Sequence, residues 1–311
     1  MSQIQRMIDQ NLGGGVVDLE NCQYELDEPL KIQLKGTTER WLHLRGNGAR
    51  LMATTSMDYL LLAARSNLII SGLELRAANN ADVNEELIRI GKPFHEHVTN
   101  LTVENCIFQR FNKYGIRIHS GEIVNVRNCM FSGNHSSPMC AVRLENDPNN
   151  VLTIRNIILE SLNFRRDSRD DEFRTHSGIF IKGRPDLQPW GNVYNVLVRN
   201  CYLKDVRYFA VHVENAFNVN IDRCYLEEAT EEESSLVHIE NGGNHIISQC
   251  TFDVSSRYLL FFKNGGDAEL RRNLVTGSYN NGRFGGVREI GFSSGRTENW
   301  YGADNRHWQY S

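Results

Sequence analysis

Two short segments carry ionisable side chains two residues apart, and a third carries an aromatic ring and a lysine at the same spacing. FAVHVENA at 209 to 216 holds His212 and Glu214, SLVHIENGG at 235 to 243 holds His238 and Glu240, and SGIFIKG at 177 to 183 holds Phe180 and Lys182. Residues two apart in a strand point to the same side. In neighbouring rungs of a parallel sheet, Glu214 and Glu240 would stand ~5 Å apart, a separation that suits a retaining glycosidase pair. Like charges that close raise one carboxyl pKa and keep a proton for acid catalysis. Lys182, Lys263, His212 and His238 fit a different reaction, neutralising a uronate carboxylate and abstracting its α-proton, which is lyase chemistry. The plain alternative is that Glu, Lys and His columns satisfy one another on a solvated sheet face.

The elements that would position these groups repeat along the chain. An alternating apolar run closes on Asn-Cys or a variant, as in LTVENCIF (101–108), VNVRNCMF (124–131), LTIRNIIL (152–159), VLVRNCYL (196–203), VNIDRCYL (219–226), HIISQCTF (245–252) and AELRRNLV (268–275). The aligned Cys positions are 106, 129, 157, 201, 224, 250 and 273, giving steps of 23, 28, 44, 23, 26 and 23. A period near 23 with insertions marks a solenoid whose coils bury their apolar face against neighbouring coils. Between these copies lies a second phrase, YGIRIHSG (114–121), AVRLEND (141–147), SGIFIKG, FAVHVENA, SLVHIENGG and YLLFFKNGG (258–266). Both phrases alternate with period two and are rich in Val, Ile and aromatics, so both read as strands. The expectation is an all-β, single-domain parallel β-helix, with like residues stacked in columns ~4.8 Å apart.

In the second phrase the inward pairs are Ile116/Ile118, Val142/Leu144, Ile179/Ile181, Val211/Val213, Val237/Ile239 and Leu260/Phe262. Alternation forces two outward columns. The first runs Arg117, Arg143, Phe180, His212, His238, Phe261, and the second His119, Glu145, Lys182, Glu214, Glu240, Lys263. The middle rungs supply the candidate catalytic set Glu214, Glu240, His212, His238 and Lys182. Arg143, Glu145, Lys263, His119 and Arg117 are candidate substrate contacts along the same face.

Cys106, Cys129, Cys201, Cys224 and Cys250 share one repeat position, which Ile157 and Asn273 complete. Stacked Cβ atoms ~4.8 Å apart lie beyond the usual disulfide range of about 3.5–4.5 Å. With Ile in the column and no CxxC, a packed thiol column is expected and no metal centre is assigned.

The opening IQRMIDQNLGGGVVDLENCQYELDEPLKI, followed by LHLRGNGARL and SNLIISGLEL, resembles the start of the pectate-lyase-like right-handed β-helix superfamily. That superfamily includes polysaccharide lyases, glycoside hydrolases and bacteriophage tailspikes, and the likeness covers roughly residues 4 to 275. The resemblance implies a right-handed coil and a polysaccharide partner acted on or gripped, by lyase or hydrolase chemistry if the chain is active. It also implies calcium as the plausible cofactor of a uronate lyase, and trimers around a shared axis in a virion or released outside the cell. The runner-up is a non-catalytic virion protein, a spike or capsid decoration that uses the rod as a stalk. A binding module without turnover is a third option.

Residues 2 to 12 put Ile4, Met7, Ile8 and Leu12 on one helical face, with Ser2 and Gln5 at capping-box spacing, so a helix within 1–15 should plug the solenoid that runs over 16–276. The segment 277–311, rich in Gly and aromatics and including Trp300, Tyr301, Trp308 and Tyr310, reads as a cap or subunit contact. Long steps place loops at 79–97, 133–139, 164–176, 184–192 and 228–235. With 34 basic against 38 acidic residues among 311 and a net charge of -4, no global field favours nucleic acid. No 18-residue apolar run argues for a membrane span, and the N-terminal stretch has neither a basic leader nor an apolar core, so no secretion signal is expected.

Overall fold

The computed structural model describes residues 2–34, 39–77, 84–91, 97–111, 113–134, 140–145, 152–165, 177–186, 193–204, 206, 208–227, 235–253, 258–263, 268–276, 290–293, 302–303 and 306–307. Each coil is three short strands. One coil runs through Thr99–Glu104, Ile107–Phe111 and Tyr114–Ile118 before Gly121–Arg127 begins the next. Every strand pairs in parallel with its equivalent one coil away, so Leu101 sits beside Val124, Phe108 beside Phe131 and Ile116 beside Val142. Three ribbons result: a first-phrase ribbon, a corner ribbon and a second-phrase ribbon. The chain is an all-β, right-handed parallel β-helix with one short helix at its start.

The corners explain the repeated Asn. The residue before the Cys position takes a left-handed backbone, as at Asn105, Asn128, Asn200 and Gln249. Asn tolerates that conformation better than most residues. A second left-handed corner, at Asn67, Asn100, Asn156, Asn195 and Asn218, comes directly before the first inward residue of the first-phrase run. Its amides form a ladder, Asn100 to Asn67 at 3.0 Å, Asn195 to Asn156 at 3.1 Å and Asn218 to Asn195 at 2.7 Å.

The two corners correct one alignment. Val124 pairs with Ile157 and Val126 with Leu159, so the true third copy is IILESLNF at 157–164. Leu162, not Ile157, continues the cysteine column, because Met130 pairs with Asn163 one residue further on. Asn156 imitated the Asn-Cys corner because both corners select the same residue for the same backbone reason.

The interior is packed as alternation requires. Ile116, Ile118, Val213 and Leu144 are fully buried, and Ile239 is nearly so. Phe108, Phe131 and Phe164 stack at 4.7 and 5.0 Å in the corner ribbon. The cysteines of the column are buried free thiols that donate to backbone carbonyls two residues back, for example Cys201 to Arg199 at 3.3 Å. Burial pushes the Cys201 thiol up, and it pushes Cys140, outside the column, up to about 12. Asn273 closes the column by accepting from Cys250 N and donating to Ile247 O, both at 2.9 Å.

The helix α1, Gln3–Gln10, buries Ile4 and Ile8 on the first coil, and its Ser2 cap accepts from Gln5 N at 3.1 Å. Gln5 turns away from the cap. Its amide pairs with both backbone groups of Lys31 at 2.8 and 2.9 Å, standing in for a missing strand at the open end. The buried guanidinium of Arg65 ties the same end together through the carbonyls of Leu12, Arg40 and Asn67. At the other end Ile290–Ser293, Gly302–Ala303 and Arg306–His307 add one strand to each ribbon.

Four expected loops contain strand residues. Asn84–Ile90 lies inside 79–97, Met130–Asn134 runs into 133–139, Asn163–Arg165 runs into 164–176, and Ser235–Gly243 starts at the last residue of 228–235. Residues 135–139, 166–176, 187–192 and 228–234, and the tail aromatics Trp300, Tyr301, Trp308 and Tyr310, lie outside the described residues.

Candidate functional site

The second-phrase ribbon presents the outward columns in the register expected from alternation. Arg117 pairs with Arg143, Arg143 with Phe180, Phe180 with His212, His212 with His238 and His238 with Phe261. Glu145, Lys182, Glu214, Glu240 and Lys263 follow one another in the adjacent column. At the end of this column Gly183 passes so close to the Asn215 carbonyl that a Cβ would lie 2.0 Å from it, which fixes glycine there.

The middle rungs form an aromatic and imidazole cluster. The His212 ring stacks on Phe180 at 4.4 Å, and the His238 ring on Phe261 at 5.2 Å. The two imidazoles meet edge to face at 4.7 Å, and Phe209 touches both at 4.8 and 4.7 Å. Burial holds His238 down to about 4, against the pull of Glu240, so it is neutral at pH 7. Its Nε2 lies 3.9 Å from Glu240 Oε2.

Glu214 and Glu240 are direct neighbours across two rungs. Each has its own lysine. Lys182 Nζ is 3.1 Å from Glu214 Oε1, and Lys263 Nζ is 3.0 Å from Glu240 Oε1. The expected crowding of like charges is therefore met by a cation on each outer side of the pair, with all four heads partly exposed. Asn215 donates to Glu214 at 3.3 Å and accepts from Asn241 at 3.1 Å, steadying the turn that follows.

Towards the N-terminal end the same ribbon is built differently. Glu86, fully buried, receives Arg89 at 2.6 Å, Arg117 at 3.2 Å and His119 at 3.4 Å. Burial pushes the Glu86 carboxyl up, but the hydrogen bonds from His119 and Arg89 outweigh it and leave it below its ordinary value. Burial lowers His119 in turn, despite Glu86 beside it. Glu145 Oε2 takes Arg117 at 3.3 Å and Arg143 at 2.6 Å, and Arg143 also donates to Tyr114 OH at 2.9 Å and lies over the Phe180 ring at 4.7 Å.

Of the ten expected site residues, the structure brings Phe-flanked His212 and His238 together with Glu214, Glu240, Lys182 and Lys263. It separates Arg117, Arg143 and Glu145 into the arginine network. His119 is not on the solvent face at all: only 3% exposed, it is turned onto Glu86. Glu86, Arg89 and Phe209 were missed. The signal existed, because ELIRI at 86–90 repeats YGIRI at 114–118, placing Glu86 beside Tyr114 and Arg89 beside Arg117.

Among the described residues, His212, His238 and Glu240 are one group able to offer three metal ligands, with donor atoms all within 4.8 Å of one another. Two imidazoles and one carboxylate are a poor donor set for calcium, which takes six to eight oxygens.

No protein-family model matches the chain, and no curated protein matches it in sequence. Solved structures do match. ORF18 of Geobacillus virus E2 superposes with a TM-score of 0.67 at 11% identity, over 93% of this chain and 55% of that one. The enzymatically active domain of tailspike protein 2 from bacteriophage CBA120 gives 0.64 at 10% identity, over 94% and 43%. The parallel β-helix fold is shared with these proteins. The tailspike of Escherichia coli bacteriophage HK620, solved with a pentasaccharide, gives 0.63 at 11% identity over 98% of this chain and 62% of that one. This chain spans about half the length of the first two phage proteins. No helix among the described residues is long and apolar enough to cross a membrane.

Proposed function

We propose that the chain binds and cleaves a bacterial polysaccharide along the outward face of the second-phrase ribbon, in the manner of a virion tailspike. The observation that carries this reading is the middle-rung surface itself. Phe180, Phe209 and Phe261 supply apolar ring faces, and Glu214, Glu240, Lys182 and Lys263 stand beside them in one line. A sugar chain needs such pairing of ring faces with fixed hydrogen-bonding groups. Glu214 and Glu240, adjacent across rungs, are the candidate proton-transfer pair. Fold likeness to a pentasaccharide-bound tailspike adds analogy, not proof of a substrate.

The test is a depolymerase assay over a polysaccharide panel, reading reducing ends and the ultraviolet absorbance of unsaturated products. Glu214→Gln and Glu240→Gln should each lower turnover by about two orders of magnitude with folding intact. Full activity in both variants moves the chemistry elsewhere on the chain.

A second reading, a non-catalytic virion rod, draws support from the N-terminal rungs. There Arg89, Arg117 and Arg143 are taken up by Glu86 and Glu145 in a closed network suited to rigidity. Absence of any glycan turnover or binding, with this face buried between subunits of a trimer, is the result that favours it.

A further inference from the structure

We propose that His212, His238 and Glu240 form a binding site for a divalent transition-metal cation of the zinc class. Zinc takes imidazole nitrogen and carboxylate oxygen at ~2.0–2.2 Å, and two His with one Glu leave a fourth position open. Ligand atoms around such an ion stand roughly 3.4 Å apart, a consequence of tetrahedral bonds of that length. Here the three donors already lie within 4.8 Å, so modest side-chain rotation closes the site.

One feature of the surroundings favours a metal over a bare polar cluster: His212 and His238 pack against the rings of Phe180, Phe261 and Phe209, which fixes their planes. That is the apolar shell that strengthens a bound cation and limits solvent access. Glu240 Oε2 lies 3.9 Å from His238 Nε2, and Lys263 Nζ lies 3.0 Å from Glu240 Oε1 and 3.1 Å from Oε2.

Lys263 is the one feature opposed. Its ammonium sits 3.0 Å from the ligand carboxylate and must move aside or share it, which its exposed side chain allows. The competition makes the proposal testable in both directions. The site shares Glu240 with the proposed proton-transfer pair, and its test reads zinc binding alone.

The experiment uses the full chain, freed of metal by a chelator and then desalted, in a Cys22→Ser background because Cys22 is an exposed thiol able to bind zinc by itself. Calorimetric titration with zinc chloride should show one equivalent bound. His212→Ala, His238→Ala and Glu240→Gln should each weaken it at least 10-fold, while Lys263→Ala should tighten it at least threefold. Labelling of histidines by diethylpyrocarbonate on the unsubstituted chain, mapped by mass spectrometry, should spare His212 and His238 only when zinc is present, a readout that survives if a variant folds poorly. No bound equivalent, unchanged affinity in the histidine variants, or equal labelling of His212 and His238 with and without zinc overturns the proposal. Each of these outcomes is independent of whether a polysaccharide is cleaved.

Discussion

The second-phrase ribbon fills its outward positions in two opposite ways. Around Glu86 a carboxylate sunk to zero exposure is surrounded by Arg89, Arg117 and His119, and a second carboxylate, Glu145, links Arg117 to Arg143. Around His212 and His238 the rungs carry stacked rings, and each carboxylate has a single lysine at the rim. Buried charge is tolerated only when paired and hydrogen-bonded, so the first arrangement must be complete to exist. The second packs its imidazoles against rings and keeps its carboxylates and lysines partly exposed at the rim. One backbone thus supports a locked stretch and an open one.

The largest contrast lies between the two faces of one strand. Ile239→Asp buries an unpaired charge inside the coil and should abolish cooperative folding, whereas changing its outward neighbour Glu240 to Gln should leave the melting transition near wild type. Circular dichroism melts of the two variants decide it. Equal tolerance would sink the inward assignment of the whole column.

Next is the locked stretch. Glu86→Ala strands Arg89, Arg117 and His119 in a buried site and should cost about 3–5 kcal/mol, the usual penalty for removing one partner of a buried ionic group. Glu214→Ala should cost under about 1 kcal/mol, because its Lys182 partner is a third exposed. Denaturant unfolding measures both. A loss at Glu86 no larger than at Glu214 would erase the distinction between the two regions.

How much of this was legible depended on whether a position is fixed by alternation or by a neighbour far away in sequence. Period two and the 26-residue step from His212 to His238 placed the outward columns in register, His119 apart, since a one-residue slip would have turned valines outward. The third first-phrase copy was misplaced by five residues because two corners share a left-handed Asn, and only the pairing of Val124 with Ile157 separates them. Glu86 was passed over for a simpler reason. It falls in the segment 79–97 expected as a loop, and its burial comes from Arg117 and His119, 31 and 33 residues downstream. His119 was placed outward by alternation and is drawn down by the same carboxylate.

Acid should destabilise the chain through its buried imidazoles. His238 and His245 are both held near 4 by burial, against an ordinary 6.5. The unfolded chain takes up these protons first, so stability is full above about pH 6.5 and is lost progressively as pH falls towards 4. A shift of that size corresponds to roughly 3 kcal/mol per group. His245 occupies an inward position next to Val219, whose N–H it accepts at 3.2 Å. His245→Val should therefore flatten the fall in melting temperature between pH 6.5 and 4, and an unchanged slope would mean that other groups govern it.

The smallest effect expected is also the most direct probe of how the two stretches differ. Lys182 makes one ion pair, to Glu214 at 3.1 Å, with its head near water. Coulomb attraction there is screened, and ordering a long side chain offsets what remains, so Lys182→Ala should change stability by less than about 0.5 kcal/mol. Arg143 is the same kind of residue one column over, yet it donates to Glu145, donates to the Tyr114 hydroxyl and covers the Phe180 ring. Its removal should cost about 1–3 kcal/mol, because three interactions are lost together and Glu145 keeps only Arg117. Salt separates the two further: raising ionic strength should erase any Lys182 effect and leave most of the Arg143 effect, whose partners are largely shielded from solvent. Matching losses at the two positions would show that the middle rungs are as tightly locked as the first, and that the open surface assigned to ligand binding is not open.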